Sequence, residues 1–270
     1  MSNQQILAKT ALGYNYIKLL SEEGYKLIDL NMIEPFRIED KMYQPSSLVF
    51  ERDQRMYAIR SDWTRSLLNY NESYFLDDQM FGYYGPVIRN NRSFYQAGVE
   101  LYEPDQMSIV RSIKLHLDFV KEQIAAQDKS LRSLVVNNDY LIDLYLKKYN
   151  LDEQIRILIY DKNLSGLREE LGKEHALCKI LSTRASQQFE LVQQEFADDQ
   201  EMQLINHIKK IADQNQIKFM LDLSFRSPQS YYNGLYFQVF LNYDTPLLSG
   251  GEYNDSAFGI ALNIEDGGLV

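Results

Sequence analysis

The sequence carries one cysteine, three histidines and no apolar run approaching the ~18 residues that a membrane span requires. With a single thiol no internal disulfide can form, which suits a reducing compartment. Cys178 lies in a helical pattern between Leu177 and Ile180 and reads as a buried, inert side chain. His116, His175 and His207 stand far apart, each inside a helical segment and without the spacing of metal ligands. No glycine-rich loop that cradles phosphates is present, so neither a metal, a cofactor nor a catalytic triad is expected. The start, Met1-Ser-Asn-Gln-Gln5, is polar and lacks the apolar stretch of a secretory signal; a cytoplasmic protein is expected. Positive charge is also scarce. Lys and Arg number 28 against 38 Asp and Glu, a net charge of −10. That balance argues against coating a polyanion, so neither a nucleic acid nor a membrane is an expected partner.

What is present is an ordinary globular composition, 45% apolar and 24% charged, over 270 residues. Residues 6–20 place Leu12, Tyr16, Leu19 and Leu20 at helical spacing, and Gly24 ends that helix. Tyr25 to Ile33 alternates like a half-buried strand. Strands over 47–50 and 56–60 flank the polar turn Glu51–Arg55, and Asp62 is placed to cap a short helix through Leu67 and Leu68. Residues 79–102 read as a hairpin with arms 80–89 and 94–102 around the turn 90–93. Pro104-Asp105 opens a helix to about Ala126, with Ile109, Ile113, Leu117, Val120 and Ile124 on one face. After a strand at 131–137, residues 138–215 are mostly helical, with no Pro and two Gly. Strands follow at 217–225, 231–241 and 258–264, with a tight glycine turn at 249–253. The acidic run Asp198–Glu201 reads as a solvated loop opening a helix. The fold class is α+β, a mainly antiparallel sheet flanked by helices.

The chemistry available is a set of polar groups on apolar strands: Asp62, Thr64, Arg89, Gln96 and Glu100. Gln96 and Glu100 are four apart and share a strand face. Periodicity alone places that face in solvent. Their aromatic surroundings, poor in other charges, count against that reading; buried, these groups would need partners, which a small zwitterion could supply.

Several segments resemble one family. Gly24-Tyr-Lys-Leu-Ile-Asp-Leu-Asn-Met-Ile-Glu34 is similar to motif 1 of the class II aminoacyl-tRNA synthetases, the dimerisation strand. Met56-Tyr-Ala-Ile-Arg-Ser-Asp-Trp-Thr64 resembles the LRP(E/D)xT segment of the histidyl branch. Tyr84-Gly-Pro-Val-Ile-Arg89 and Phe94-Tyr-Gln-Ala-Gly-Val-Glu-Leu101 resemble the two arms of motif 2. Tyr231-Tyr-Asn-Gly-Leu-Tyr-Phe237 resembles the histidine-specific RGLDYYxGxxFE segment, and Ser249-Gly-Gly-Glu-Tyr253 its SGGRYD turn. The resemblance implies a class II synthetase-like core over 1–270, one domain with a helical insertion at about 138–215.

The departures from that pattern are as informative as the matches. Histidyl synthetases join the motif 2 arms by a long loop that carries an acidic residue and grips ATP and the tRNA end. Here only 90–95 separates Arg89 from Gln96, and Asn91 stands at the acidic position. Ser227 occupies the place of the catalytic arginine, with Arg226 one position away, and Asp266 the place of the ATP-binding arginine of motif 3. A carboxylate there opposes the clamping of a triphosphate. The sequence ends at Val270, where the synthetases' anticodon-binding domain would begin, so a core without it is expected. These features are similar to the regulatory subunits of ATP phosphoribosyltransferase, non-catalytic paralogues of the synthetase, although the usual N-terminal GxxDxLP segment is missing.

In that family a short catalytic subunit condenses ATP with phosphoribosyl pyrophosphate, the first step of histidine biosynthesis. The synthetase-like subunit activates it and helps transmit feedback by histidine. The resemblance therefore implies a short-form catalytic subunit as partner, self-association through 24–34 and histidine as effector. It places Asp62 and Thr64, with Gln96 beside them, at the ligand's α-amino group and Arg89 at its carboxylate. Glu100 and Tyr232 would address the two imidazole nitrogens, with Tyr231 and Tyr253 as walls. Two other readings stay open: a minimal ligase activating an amino acid without tRNA, and a stand-alone histidine sensor or tRNA-binding relic.

Overall fold

The expected first helix forms as α1 (Asn3–Glu22). Ser2 opens it with a reciprocal cap, its Oγ accepting from the Gln5 amide at 3.3 Å while Gln5 Oε1 accepts from the Ser2 amide at 2.8 Å. Leu12, Tyr16 and Leu20 are buried, as the spacing requires. The structure, a computed structural model, describes residues 2–37, 47–74, 77–125, 127, 129–227, 229, 231–241, 245–254, 256–265 and 268–269. Asp266 and Ala126 lie outside them. The chain divides into two units, 1–103 with 259–270, and 104–258.

In the first unit the single strand expected over 25–33 does not form. It is replaced by β1 (Lys26–Leu27) and β2 (Ile33–Pro35), with irregular backbone between. The reason is topological. β2, β3 (Leu48–Arg52) and β4 (Arg55–Ile59) make a separate sheet in the order β2-β4-β3, so the chain leaves one ladder to join another. α2 (Trp63–Tyr74) runs a turn and a half beyond Leu68, and Asp62 Oδ1 accepts from the Arg65 amide at 3.3 Å as its cap. β5 (Met80–Arg89) and β6 (Arg92–Tyr102) pair antiparallel from Met80↔Leu101 to Arg89↔Arg92. Only Asn90 and Asn91 turn the chain, at φ 51° and 59°. Two left-handed residues match the twist of a hairpin, and asparagine tolerates them. The expected turn at 90–93 is therefore shorter, and β6 begins earlier. β1 pairs with β5 in parallel. Trp63 and Leu67 of α2 pack against Phe81, Tyr83 and Val87 of β5 as one core.

In the second unit α3 (Gln106–Ile124) is capped by Asp105 and buries all five apolar residues of its expected face. β7 (Ser133–Asn138) is followed by α4 (Asp139–Tyr149), α5 (Glu153–Tyr160), α6 (Leu164–Leu171), α7 (Ala176–Ser182), α8 (Ala185–Phe196) and α9 (Gln200–Gln214). β8 (Lys218–Leu221) then lies parallel to β7, because this helical crossover returns the chain in the same direction. β9 (Tyr232–Phe240) is antiparallel to β7 and to β10 (Pro246–Tyr253). Each unit thus holds one parallel pair, β1–β5 in the first and β7–β8 in the second, that periodicity did not reveal. β11 (Ala257–Asn263) is the last strand.

Three local expectations are corrected here. Residues 249–253 are not a turn but half of β10, paired Gly250↔Phe237 and Gly251↔Tyr236, with a bulge before Tyr253. Their glycines serve close approach, since a Cβ on Gly251 would collide with the Leu235 carbonyl. His175 is not inside a helix but caps α7, its Nδ1 accepting from the Leu177 amide at 3.3 Å. Within the acidic run, Asp199 caps α9, but Glu201 is half-buried and accepts from Asn138 Nδ2 at 2.8 Å.

Candidate functional site

Glu100 sits on β6 with 0% of its surface exposed, and Gln96 on the same strand with 9%. The solvent-face reading of this strand is wrong. Every residue from Gln96 to Leu101 is buried, so both faces of β6 are covered and alternation carries no signal. A buried carboxylate needs donors. The Thr64 hydroxyl donates to Glu100 Oε1 at 2.6 Å, and the Tyr83 hydroxyl lies 3.4 Å from the same oxygen. On β11, Gly259 makes room for this group, because a Cβ there would collide with the Glu100 carboxylate. Burial, with Tyr25 and Glu100 nearby, pushes the Tyr16 phenol well above its ordinary value. Gln96 Oε1 is a buried acceptor with no hydrogen-bond partner among the described residues.

Arg89 ends β5 with its fork turned inward. Nε and Nη2 donate to the Ser61 carbonyl at 3.2 and 2.9 Å, and Nη2 to Asp62 Oδ2 at 3.1 Å. The two charges assigned to a ligand's carboxylate and ammonium thus engage each other. Thr64 likewise engages Glu100. Sequence reasoning missed Arg60, although it stands in the quoted LRP(E/D)xT match. Its Nη1 donates to the Leu30 carbonyl at 2.8 Å, Nε and Nη2 to the Pro86 carbonyl at 3.2 and 3.1 Å, and the guanidinium lies 3.6 Å from the Trp63 ring centre. Arg60 is a buried structural cation.

The tyrosines form a cluster of their own in the second unit. Tyr231 and Tyr232 ring centres are 4.7 Å apart, and each meets Tyr253 nearly edge-on, at 6.1 and 6.2 Å. The register explains this, since Tyr253 pairs with Tyr232 across the β9–β10 ladder. Next to them Glu252 Oε2 accepts from the Leu235 amide at 2.7 Å, and burial raises its carboxyl to about 7. Tyr232 also lines a cavity of about 390 Å³ with Asp139, Tyr160, Phe225, Arg226 and Tyr236. None of these five was singled out as a pocket residue from the sequence; only the aromatic density around 225–236 hinted at it.

A mixed sheet flanked by helices, a motif 2 hairpin and a buried strand glutamate define a class II aminoacyl-tRNA synthetase-like protein. A family model described as histidyl-tRNA synthetase matches residues 2–266, and the chain belongs to that family. It is 27% identical over 271 residues to an ATP phosphoribosyltransferase regulatory subunit of Staphylococcus aureus, covering 97% of this chain and 98% of the relative. Among solved structures it is similar to an ATP phosphoribosyltransferase regulatory subunit/histidyl-tRNA synthetase from Bacillus halodurans, with TM-score 0.77, 18% identity and coverage of 98% and 79%. The ATP phosphoribosyl transferase (HisG:HisZ) complex from Thermotoga maritima gives TM-score 0.72 at 17% identity, covering 95% of this chain and 97% of that one. Apo histidyl-tRNA synthetase of S. aureus gives 0.61 at 19%, covering 95% and 67%. At these identities the structures establish the fold. Among the described residues no helix is long and apolar enough to cross a membrane.

Proposed function

We propose that this chain is the non-catalytic regulatory subunit of ATP phosphoribosyltransferase, activating a short catalytic subunit in the cytoplasm and relaying feedback by histidine. The observation that carries the reading is the match to curated regulatory subunits along nearly the full length of both chains. The two-residue turn at Asn90-Asn91 supports it, since so short a turn offers no loop to hold a nucleotide. Asn91, Ser227 and Asp266, at positions where the synthetases carry an acidic residue and two arginines, point the same way. In this reading 1–270 is one synthetase-like core with the largely helical segment at about 138–215 as its insertion.

Histidine is the proposed effector, with Asp62, Thr64, Arg89, Gln96, Glu100, Tyr231, Tyr232 and Tyr253 as its site. The unpartnered Gln96 oxygen favours a ligand that donates hydrogen bonds. Histidine can regulate only by binding the inhibited and active assemblies with different affinity. Self-association through 24–34 belongs to the same proposal. Leu27 and Ile33 there are 43% and 54% exposed, and a two-fold dimer is the commonest way to cover such side chains. The test is co-expression with the short catalytic subunit of the same genome, followed by purification and assay. The expected result is a stable complex that condenses ATP with phosphoribosyl pyrophosphate faster than the catalytic subunit alone. Robust amino-acid-dependent exchange of pyrophosphate into ATP by this chain alone would overturn the reading.

A further inference from the structure

Two half-buried carboxyl groups act on each other in the second unit, where β7, β9, β10, α4 and α9 meet. Glu252 is the bulged residue of β10, at the slip of register between Gly251 and Tyr253. Its Oε2 accepts from the Leu235 amide of β9 at 2.7 Å. Gly234 makes room for it. At φ 80°, a Cβ on that glycine would lie 2.6 Å from Glu252 Oε2 and 2.8 Å from the Tyr140 ring of α4. Glu201, in the first turn of α9, accepts from Asn138 Nδ2 at 2.8 Å. Asn138 in turn caps α4 and pairs with Leu235 across the β7–β9 ladder.

The groups around Glu252 are therefore the Glu201 carboxyl with Asp199 beside it, the Tyr140 phenol and the Asn138 amide. Among the described residues neither glutamate is ion-paired. Burial and then the charge of Glu201 oppose ionisation of Glu252, while the Leu235 amide favours it. The SGGRYD segment that 249–253 resembles carries arginine at this position. This chain has exchanged a cation for a second carboxyl.

We propose that Glu252, opposed by Glu201, is a proton-operated latch on the β9–β10 bulge. Protonated, it stays beside Gly234 and Tyr140 and holds the Leu235 amide. When its proton passes to water, the carboxylate turns out into solvent and Leu235 loses that acceptor. The bulge then opens locally, and Tyr253, the next residue, carries the change into its contacts with Tyr231 and Tyr232. The latch stands apart from the effector reading above.

Amide hydrogen exchange on the full chain, followed by NMR as protection relative to the unstructured rate at each pH, tests this. A carboxyl at about 7 in the closed form and at its ordinary 4.5 in the open form gives about a tenfold loss of protection at Leu235 between pH 6 and pH 8.5. Glu252→Gln should keep its protection over that range. Glu252→Arg should keep it too, because the cation meets the Glu201 carboxylate. Glu201→Gln should move the midpoint of the loss to lower pH, since one opposing charge is gone. At pH 8.5 Leu235 of the wild type should be about tenfold or more below the core amides of α3. Equal protection there means that only global unfolding exposes Leu235, and overturns the latch. A wild type without the loss, or the same loss in Glu252→Gln, also overturns it. Should Glu252→Gln fail to fold, Glu201→Gln decides, and an unmoved midpoint overturns the proposal.

Discussion

The polar centres of the two units use the same groups at different closeness of engagement. In the first unit a guanidinium, two carboxylates and a hydroxyl are spent on one another: Arg89 with Asp62 and the Ser61 carbonyl, Thr64 with Glu100. In the second, Asp139 and Arg226 line one cavity and engage different partners, the carboxyl Tyr160 and Asn137 and the guanidinium Asp161 at 4.0 Å. Tight mutual engagement of buried groups stabilises a fold, whereas a half-exposed cation at 4.0 Å from its partner adds little. Gln96 is the exception in the first unit, with one buried oxygen unpartnered.

The sharpest way to break this comparison is Arg60→Ala. It leaves the Leu30 and Pro86 carbonyls unpaired and removes the stack on Trp63, so chemical denaturation should show a loss of about 3–5 kcal/mol. A loss below about 1 kcal/mol would show that the cations of this unit are not structural. Glu100→Ala comes next, at about 2–4 kcal/mol, because the buried Thr64 hydroxyl loses its acceptor. Unchanged stability with histidine binding abolished would return Glu100 to a purely ligand-facing role.

Glu252 supplies a pH test in the second unit. Burial raises its carboxyl from 4.5 to about 7, so the fold favours the neutral form. That contribution is present in full below the unfolded value and is lost as pH rises through about 7. Glu252→Gln stays neutral and its amide oxygen can still accept from Leu235. The variant should therefore gain about 3 kcal/mol relative to wild type between pH 4.5 and pH 8, read from denaturation at both. A pH-independent difference would contradict the assignment. The smallest effect is expected at the motif 2 turn. Asn91→Ala should lower stability by about 1 kcal/mol and Asn91→Gly by less, since φ is 59° there; equal melting of the two would speak against the left-handed turn.

Particular residues mark how far the sequence could be read. The α3 face was legible because five apolar residues at helical spacing bury against one core. The hairpin of 80–102 was legible because asparagines punctuate two apolar runs. Tyr25 to Ile33 misled because alternation marks a half-buried extended chain without saying which ladder it joins. Ser249–Tyr253 misled because glycine marks both turns and close strand approach. Gln96 and Glu100 were found as candidates, but their burial was not, since a strand covered on both faces loses its period.

By itself the sequence determined the local elements, the order of the synthetase-like segments and the residue types available to a site. Those depend on spacing along the chain: 3.6-residue and two-residue periods, caps, and turn residues. The tertiary structure alone decided which charges neutralise one another. Whether Arg89 meets Asp62 or a ligand, and whether Thr64 meets Glu100, depends on distances of a few ångströms between residues far apart in sequence. Local propensity carries no information about such distances, because they are set by how the hairpin, the helices and the ladders pack.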